Sequence, residues 1–153
     1  MTATEAALEQ LRRLAAADHG LAVVATTRQD GTVQASVVNA GVLDHPLTGQ
    51  PVVAFVARGG TRKLAHMRRI PRATVVFRAG WQWITVEGPT TVIGPDDPHE
   101  GFDGAQLPRL LRDIFTAAGG THDDWDTYDQ VMAEDRRAAV FVSLDRVYGS
   151  GLG

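Results

Sequence analysis

The period of the apolar positions changes several times along the chain, and each change predicts an element. Over residues 4–18, Ala7, Leu8, Leu11, Leu14 and Ala15 recur at helical spacing, with Glu5, Glu9, Arg12 and Arg13 between them, and Gly20 ends the run. The pattern becomes that of strands in "LAVVATT" (21–27) and "TVQASVVNAGVL" (32–43), which Asp30-Gly31 joins as a hairpin. Turn formers fill "DHPLTGQP" (44–51), and "VVAFVA" (52–57) is then apolar at nearly every position. "GGTRKLAHMRRIP" (59–71) predicts a short helix that begins at Arg62 after Thr61 as N-cap, seats itself through Leu64 and Met67, and is stopped by Pro71. Strands return in "ATVVFRA" (73–79) and "WQWITVEGPTTVI" (81–93). Gly94, Pro95 and Pro98 break the sheet pattern, helical spacing occupies 105–118 and 123–137, and "RAAVFVSLDRVYG" (137–149) is a last strand.

The resulting order, α-ββ-β-α-ββ-αα-β, lacks the crossover after each strand that a doubly wound parallel sheet needs. It predicts a mainly β chain of the α+β kind, an antiparallel β-barrel with peripheral helices. The 153 residues suffice for one domain over 1–153 with its own core. Val52, Ala54 and Val56 alternate with Val53, Phe55 and Ala57, so both faces of that strand are apolar. One face fills a barrel, and the other needs a helix or a second subunit over it, which makes a homodimer the expectation.

Composition narrows the function classes. With 44% hydrophobic and 22% charged residues the chain reads as folded, and a net charge of −3 gives no general attraction to nucleic acid or an anionic membrane. The absence of cysteine excludes disulfides, thiolate metal sites and cysteine nucleophiles. The first twenty residues carry no apolar run that reads as a signal peptide or a membrane span, and the expected location is the cytoplasm.

Against that acidic background, residues 59–71 concentrate five basic side chains around a helix start. Free N–H groups at a helix N-terminus attract anions, and Arg62 and Lys63 oppose the helix dipole there unless an anion sits among them. His66, three residues after Lys63, is expected on the same face. A solvated basic helix accounts for the same residues. Trp81 and Trp83 alternate along one strand and form an aromatic wall, suited to core or interface packing or to stacking on a planar heterocycle. Ser36 and Asn39, three apart, point to opposite faces of their strand. The five histidines show no metal-ligand spacing, and the four aspartates of "THDDWDTYD" (121–129) read as structural. No nucleophile with a neighbouring base emerges, which leaves room for an enzyme whose cofactor carries the reactive atom.

The helix, the "ATTRQDGTVQASVV" hairpin, "VVAFVARGGTRKLAHMRRIPRATVVF" and "WITVEGPTTV" together resemble the split β-barrel flavin-binding family of pyridoxamine 5′-phosphate oxidase. Within it they look most like the actinobacterial branch that uses the deazaflavin coenzyme F420. The resemblance covers residues 5–94 closely, and "RRAAVFVSLDRVYG" is similar to the family's closing strand. It implies a homodimer of split barrels with a cofactor in each of two interface grooves. The phosphate would be held after the third strand, where Gly60 leads into Thr61, Arg62 and Lys63, while His66 stands where asparagine is more usual. Ser36, Val37, Val38, Ala57 and Arg58 would line the ring system, and Trp81 and Trp83 would reach in from the partner. Arg58, Arg68, Arg69 and Arg72 are candidates for the acidic tail of F420. The implied activity is hydride transfer from reduced F420 to a small conjugated substrate. FMN-dependent oxidoreduction, or non-catalytic binding of a flavin, F420 or haem, is the alternative. Pyridoxamine phosphate oxidation itself is not expected, because the oxidase's C-terminal substrate motif is not found.

Overall fold

Thr4 opens the first helix, its hydroxyl accepting the Ala7 amide proton at 3.1 Å, and α1 (Glu5–Ala17) then buries Ala7, Leu11, Leu14 and Ala15. The computed structural model describes residues 4–152. Two strands follow, β1 (Leu21–Thr27) and β2 (Val33–Asp44), paired antiparallel around a turn in which the Asp30 carboxylate accepts from the Thr32 amide and hydroxyl. Next come β3 (Pro51–Ala57), α2 (Arg62–Arg69), β4 (Arg72–Ala79) and β5 (Gln82–Ile93). A single 3₁₀ turn leads into α3 (Leu107–Ala117), then α4 (Trp125–Glu134), β6 (Ala138–Ser143) and β7 (Arg146–Gly149). None of the described helices is long and apolar enough to cross a membrane.

Hydrogen bonding runs β4-β1-β2-β3-β6-β5, and pairing of β4 with β5 closes these strands into an antiparallel six-stranded barrel, with β7 added alongside β5. Closure leaves few free edges. The barrel is nevertheless split. From Val33 to Asn39, β2 pairs with β1, and from Ala40 to Asp44 it pairs with β3. Where β2 changes partner, Val56 and Ala57 of β3 are paired only to β6, and a gap opens between the two strands.

Two apolar clusters result from the two-sided strands. The barrel interior holds Val53, Phe55, Phe77, Val140 and Val142, closed by Leu11 and Leu14 of α1 and by Leu64 and Met67 of α2. On the outer side of β3 and β6, Val52, Ala54, Ala139 and Phe141 meet Leu110, Leu111 and Ile114 of α3 and Tyr128 of α4. The sequence expectation that the second face of β3 needs a cover is answered here by the chain's own helices.

Two departures from the sequence reading bear on the barrel and its groove. The expected strand 137–149 is two strands, interrupted at Leu144 and Asp145, because β6 pairs with Thr90–Ile93 of β5 and β7 with Ile84–Glu87, on either side of Gly88. The expected strand 81–93 begins at Gln82. Trp81 lies in the two-residue turn between β4 and β5 and is 97% exposed, so it does not alternate with Trp83 on a common strand.

Candidate functional site

The gap in the barrel is the mouth of a groove of about 480 Å³. Its floor is the departing edge of β2, with Val37, Val38 and Asn39, and the end of β3, with Val56, Ala57 and Arg58. Thr61 and Lys63 at the start of α2 form one wall, and Ile114 and Phe115 of α3 with Tyr128 and Met132 of α4 form the facing one. Arg137, just before β6, completes it.

The start of α2 is an unsatisfied helix end. No acidic residue occupies its first turn, and the first amide to bond along the helix is that of Ala65, which donates to the Thr61 carbonyl at 3.3 Å. The amides ahead of it are left for another acceptor. Thr61 takes the N-cap place, yet its side chain accepts no cap bond, and its Oγ1 is buried without a partner. A buried hydroxyl in that state costs free energy unless something reaches it. Lys63 has no ion-pair or hydrogen-bond partner among the described residues. Among the described residues no carboxylate lines the groove. The cations Arg58, Lys63 and Arg137 therefore face it with Asp135, placed behind them, as the neighbouring counter-charge, 3.7 Å from Arg58 and 3.1 Å from Arg137.

The loop entering α2 is held from behind by the end of α4. That helix finishes with Arg136 at φ 50°, the Arg136 amide donating to the Ala133 carbonyl and the Arg137 amide to the Met132 carbonyl, which is the bonding of a Schellman turn. The Gly59 amide donates to the Asp135 carbonyl at 3.0 Å, and a side chain at 59 would collide with the Arg136 carbonyl. Gly60 follows at φ 79°, a left-handed conformation that turns the chain toward the helix.

Of the residues singled out from the sequence, Val37, Val38, Ala57, Arg58, Thr61 and Lys63 come together in the groove. Ser36, Gly60 and Arg62 do not line it, although each adjoins in sequence a residue that does. His66 is not on the face of Lys63. It is buried with Leu64 and Met67, its Nδ1 3.0 Å from Thr26 Oγ1, because an advance of three residues leaves it some 60° short of a full turn and rotates it toward the barrel. Trp83 packs edge-on to Tyr148, and Trp81 borders a different hollow against α1, so neither meets the groove within one chain. Arg68 is clasped by Asp97 at 2.8 and 2.5 Å, and Arg69 contacts Gln29.

Sequence reasoning missed the α3–α4 wall. The helical spacing of Ile114, Phe115, Tyr128 and Met132 was plain, but spacing does not say against which opening a helix lies. Asn39 was seen only as a polar residue in a strand. Its amide donates to the His19 and Ala118 carbonyls at 2.7 and 3.1 Å and ties the β2 edge to the end of α3. The aspartates of 121–129 are structural where they are seen to bond. Asp124 caps α4 through Thr127, and Asp129 pairs with Arg112. Tyr128 donates its hydroxyl to the Leu111 carbonyl at 3.1 Å, and burial pushes its pKa up, so it faces the groove as a neutral phenol.

A family model described as pyridoxamine 5′-phosphate oxidase matches residues 4–142. Solved structures share the fold. A pyridoxamine 5′-phosphate oxidase-related, FMN-binding protein from Nostoc punctiforme is 14% identical with a TM-score of 0.62, the match covering 97% of this chain and 86% of that one. A protein named F420 reductase is 13% identical with a TM-score of 0.56, over 84% and 88%. A haem-binding protein from Mycobacterium smegmatis is 18% identical with a TM-score of 0.64, over 99% of this chain and 56% of that one. At these identities the likeness is one of fold.

Proposed function

The chain belongs to the pyridoxamine 5′-phosphate oxidase family, and from that premise we propose that it is an F420-dependent reductase acting on a small conjugated substrate as a homodimer. The observation that carries the reading is the meeting, in one groove, of the open amides of α2, the unpartnered Thr61 Oγ1 and the unpaired Lys63, with no carboxylate beside them. Those donors fit a phosphate.

Reduced F420 held there would supply the hydride. The chain's residues bind, orient and exclude water. Thr61, Lys63 and the first amides of α2 would hold the phosphate. Val37, Val38 and Ala57 give an apolar floor that would support a planar ring. Phe115, Ile114 and Met132 close the facing side and keep the groove dry, which strengthens the contacts made inside it. Arg62 and Arg72, without partners among the described residues, are free for the acidic tail.

The dimer reading is supported by the outward face of β1 and β2, where Leu21, Val23, Val33 and Val37 are exposed, with Trp83 and Tyr148 exposed on β5 and β7. Pairing through this face would bring Trp81 and Trp83 toward the partner's groove.

One observation favours FMN instead. Arg68 and Arg69 are already engaged, and FMN, which ends at its phosphate, needs no further cations. Fluorescence titration with both compounds separates the readings, and tighter binding of F420 is expected. Lys63→Ala should weaken the tighter ligand by about tenfold to a hundredfold, the range for a hydrogen bond to a charged group. Arg12→Ala, on the polar face of α1, should leave affinity unchanged. Wild-type affinity of Lys63→Ala at low salt would move the phosphate site elsewhere.

A further inference from the structure

A second hollow, of about 240 Å³, lies on the other side of Met132 and Arg137 from the groove. Those two residues line both spaces. The rest of its lining is largely apolar: Leu107, Pro108 and Leu111 on the α3 side, Ala133 on α4, and Pro95. Its charged neighbours are engaged elsewhere, Asp129 with Arg112 and Arg136 with Asp96. A methionine is the most pliable of apolar partitions, having an unbranched side chain with three rotatable bonds. Arg137 beside it is only half committed. Its Nε and Nη2 share one oxygen of Asp135 at 3.3 and 3.1 Å, and its Nη1 has no partner among the described residues. The Arg137 amide is bonded to the Met132 carbonyl, so backbone and partition are fixed together while both side chains can swing.

The hollow is smaller than the roughly 300–1,000 Å³ of sites that enclose a whole small molecule. It suits the tail of a ligand whose other end lies in the groove. From this juxtaposition we infer that the acceptor is an amphipathic anion: a carboxylate or similar head held by Arg137, and an unbranched or flat apolar tail seated past Met132 between α3 and α4. The inference rests on the proposed function only in treating this ligand as the acceptor. The absence of any carboxylate along the groove argues in the same direction, since it leaves a cationic head without a counter-charge.

Calorimetric titration of the full chain with butyrate, hexanoate and octanoate, and with the matching alcohols, tests it. Affinity should rise by about fourfold for each methylene buried, until the hollow is full. Ala133→Phe, on an exposed position of α4, fills the hollow from outside and should lower octanoate affinity by about tenfold or more while leaving butyrate unchanged. Arg137→Gln should weaken the acids by about tenfold and leave the alcohols alone. No binding, no growth with chain length, unchanged octanoate affinity in Ala133→Phe, or equal losses for acid and alcohol in Arg137→Gln would each overturn the inference. The cofactor titrations fail separately: length-dependent carboxylate binding without F420 or FMN binding overturns the cofactor reading alone.

Discussion

The strands β3 and β6 and the strands β1 and β2 both turn apolar side chains outward, yet these outer faces meet different fates. Outside β3 and β6, Ala54 and Phe141 are buried to within 1% by α3 and α4. Outside β1 and β2, Val23 is 41% and Val37 65% exposed, because α1, α2 and α3, the helices that meet these strands, leave that face uncovered. Apolar outer faces thus pack into an intramolecular core in one half of the barrel and stay uncovered in the other. A strand's pattern states how many faces want cover; it does not say whose atoms supply it.

The contrast can be broken most severely from the covered side. Phe141→Ala removes a ring packed against His45 and the α3–α4 layer, and chemical denaturation should register a loss of about 3–5 kcal/mol. Val37→Asp, on the uncovered side, should leave the stability of the isolated chain nearly unchanged. Sedimentation should show self-association weakened by about a hundredfold, since a dimer would have to bury an unpaired carboxylate. Equal behaviour of the two variants would remove the distinction between the faces.

A smaller effect is expected where the covered half meets the groove. In Gly59→Ala the new Cβ would lie 2.7 Å from the Arg136 carbonyl oxygen and 2.8 Å from Arg136 Cβ, so the loop or the end of α4 must move. A stability loss of about 1–3 kcal/mol should accompany weaker cofactor binding. Unchanged affinity would show that the α4 turn does not position the loop.

The smallest effect is on pH dependence. His45 is buried against Phe141 and accepts the Leu47 amide proton on Nδ1 at 3.1 Å. Burial, and secondarily the neighbouring His99, hold its pKa below the ordinary 6.5. The unfolded chain therefore takes up this proton at higher pH than the folded one. Stability falls as pH drops below 6.5 and levels off once the folded-state value is passed. His45→Asn keeps an acceptor for the Leu47 amide but cannot titrate, and its denaturation midpoint should be flatter across that window. Asp30, Asp96 and Asp124 have pKa values lowered from 3.8 and act in a more acidic range, so the two effects are separable.

Much of this was legible in the chain. The strand and helix order, the hairpin at Asp30-Gly31 and the seating of α2 by Leu64 and Met67 follow from local periodicity and turn chemistry, which depend on residues a few places apart, whereas the meeting of Thr61 and Lys63 with the β2 edge was to be expected only from the family resemblance. His66 was misplaced because its neighbour is Thr26, forty residues away. Trp81 was misplaced because the register of β4 against β5 puts it in the turn.

The sequence by itself determined that β3 needs cover on both sides and that cations flank the start of α2, since apolar alternation and a cap with cations beside it are local facts. Only the tertiary structure decided that α3 and α4 cover β3 and β6, that their inner ends wall the groove, and that Asp135 stands behind both Arg58 and Arg137. The contacts with β3 and with Arg58 join segments that lie far apart in the chain, and their geometry is set by closure of the barrel and by how helices pack on it, which no periodicity along the chain records.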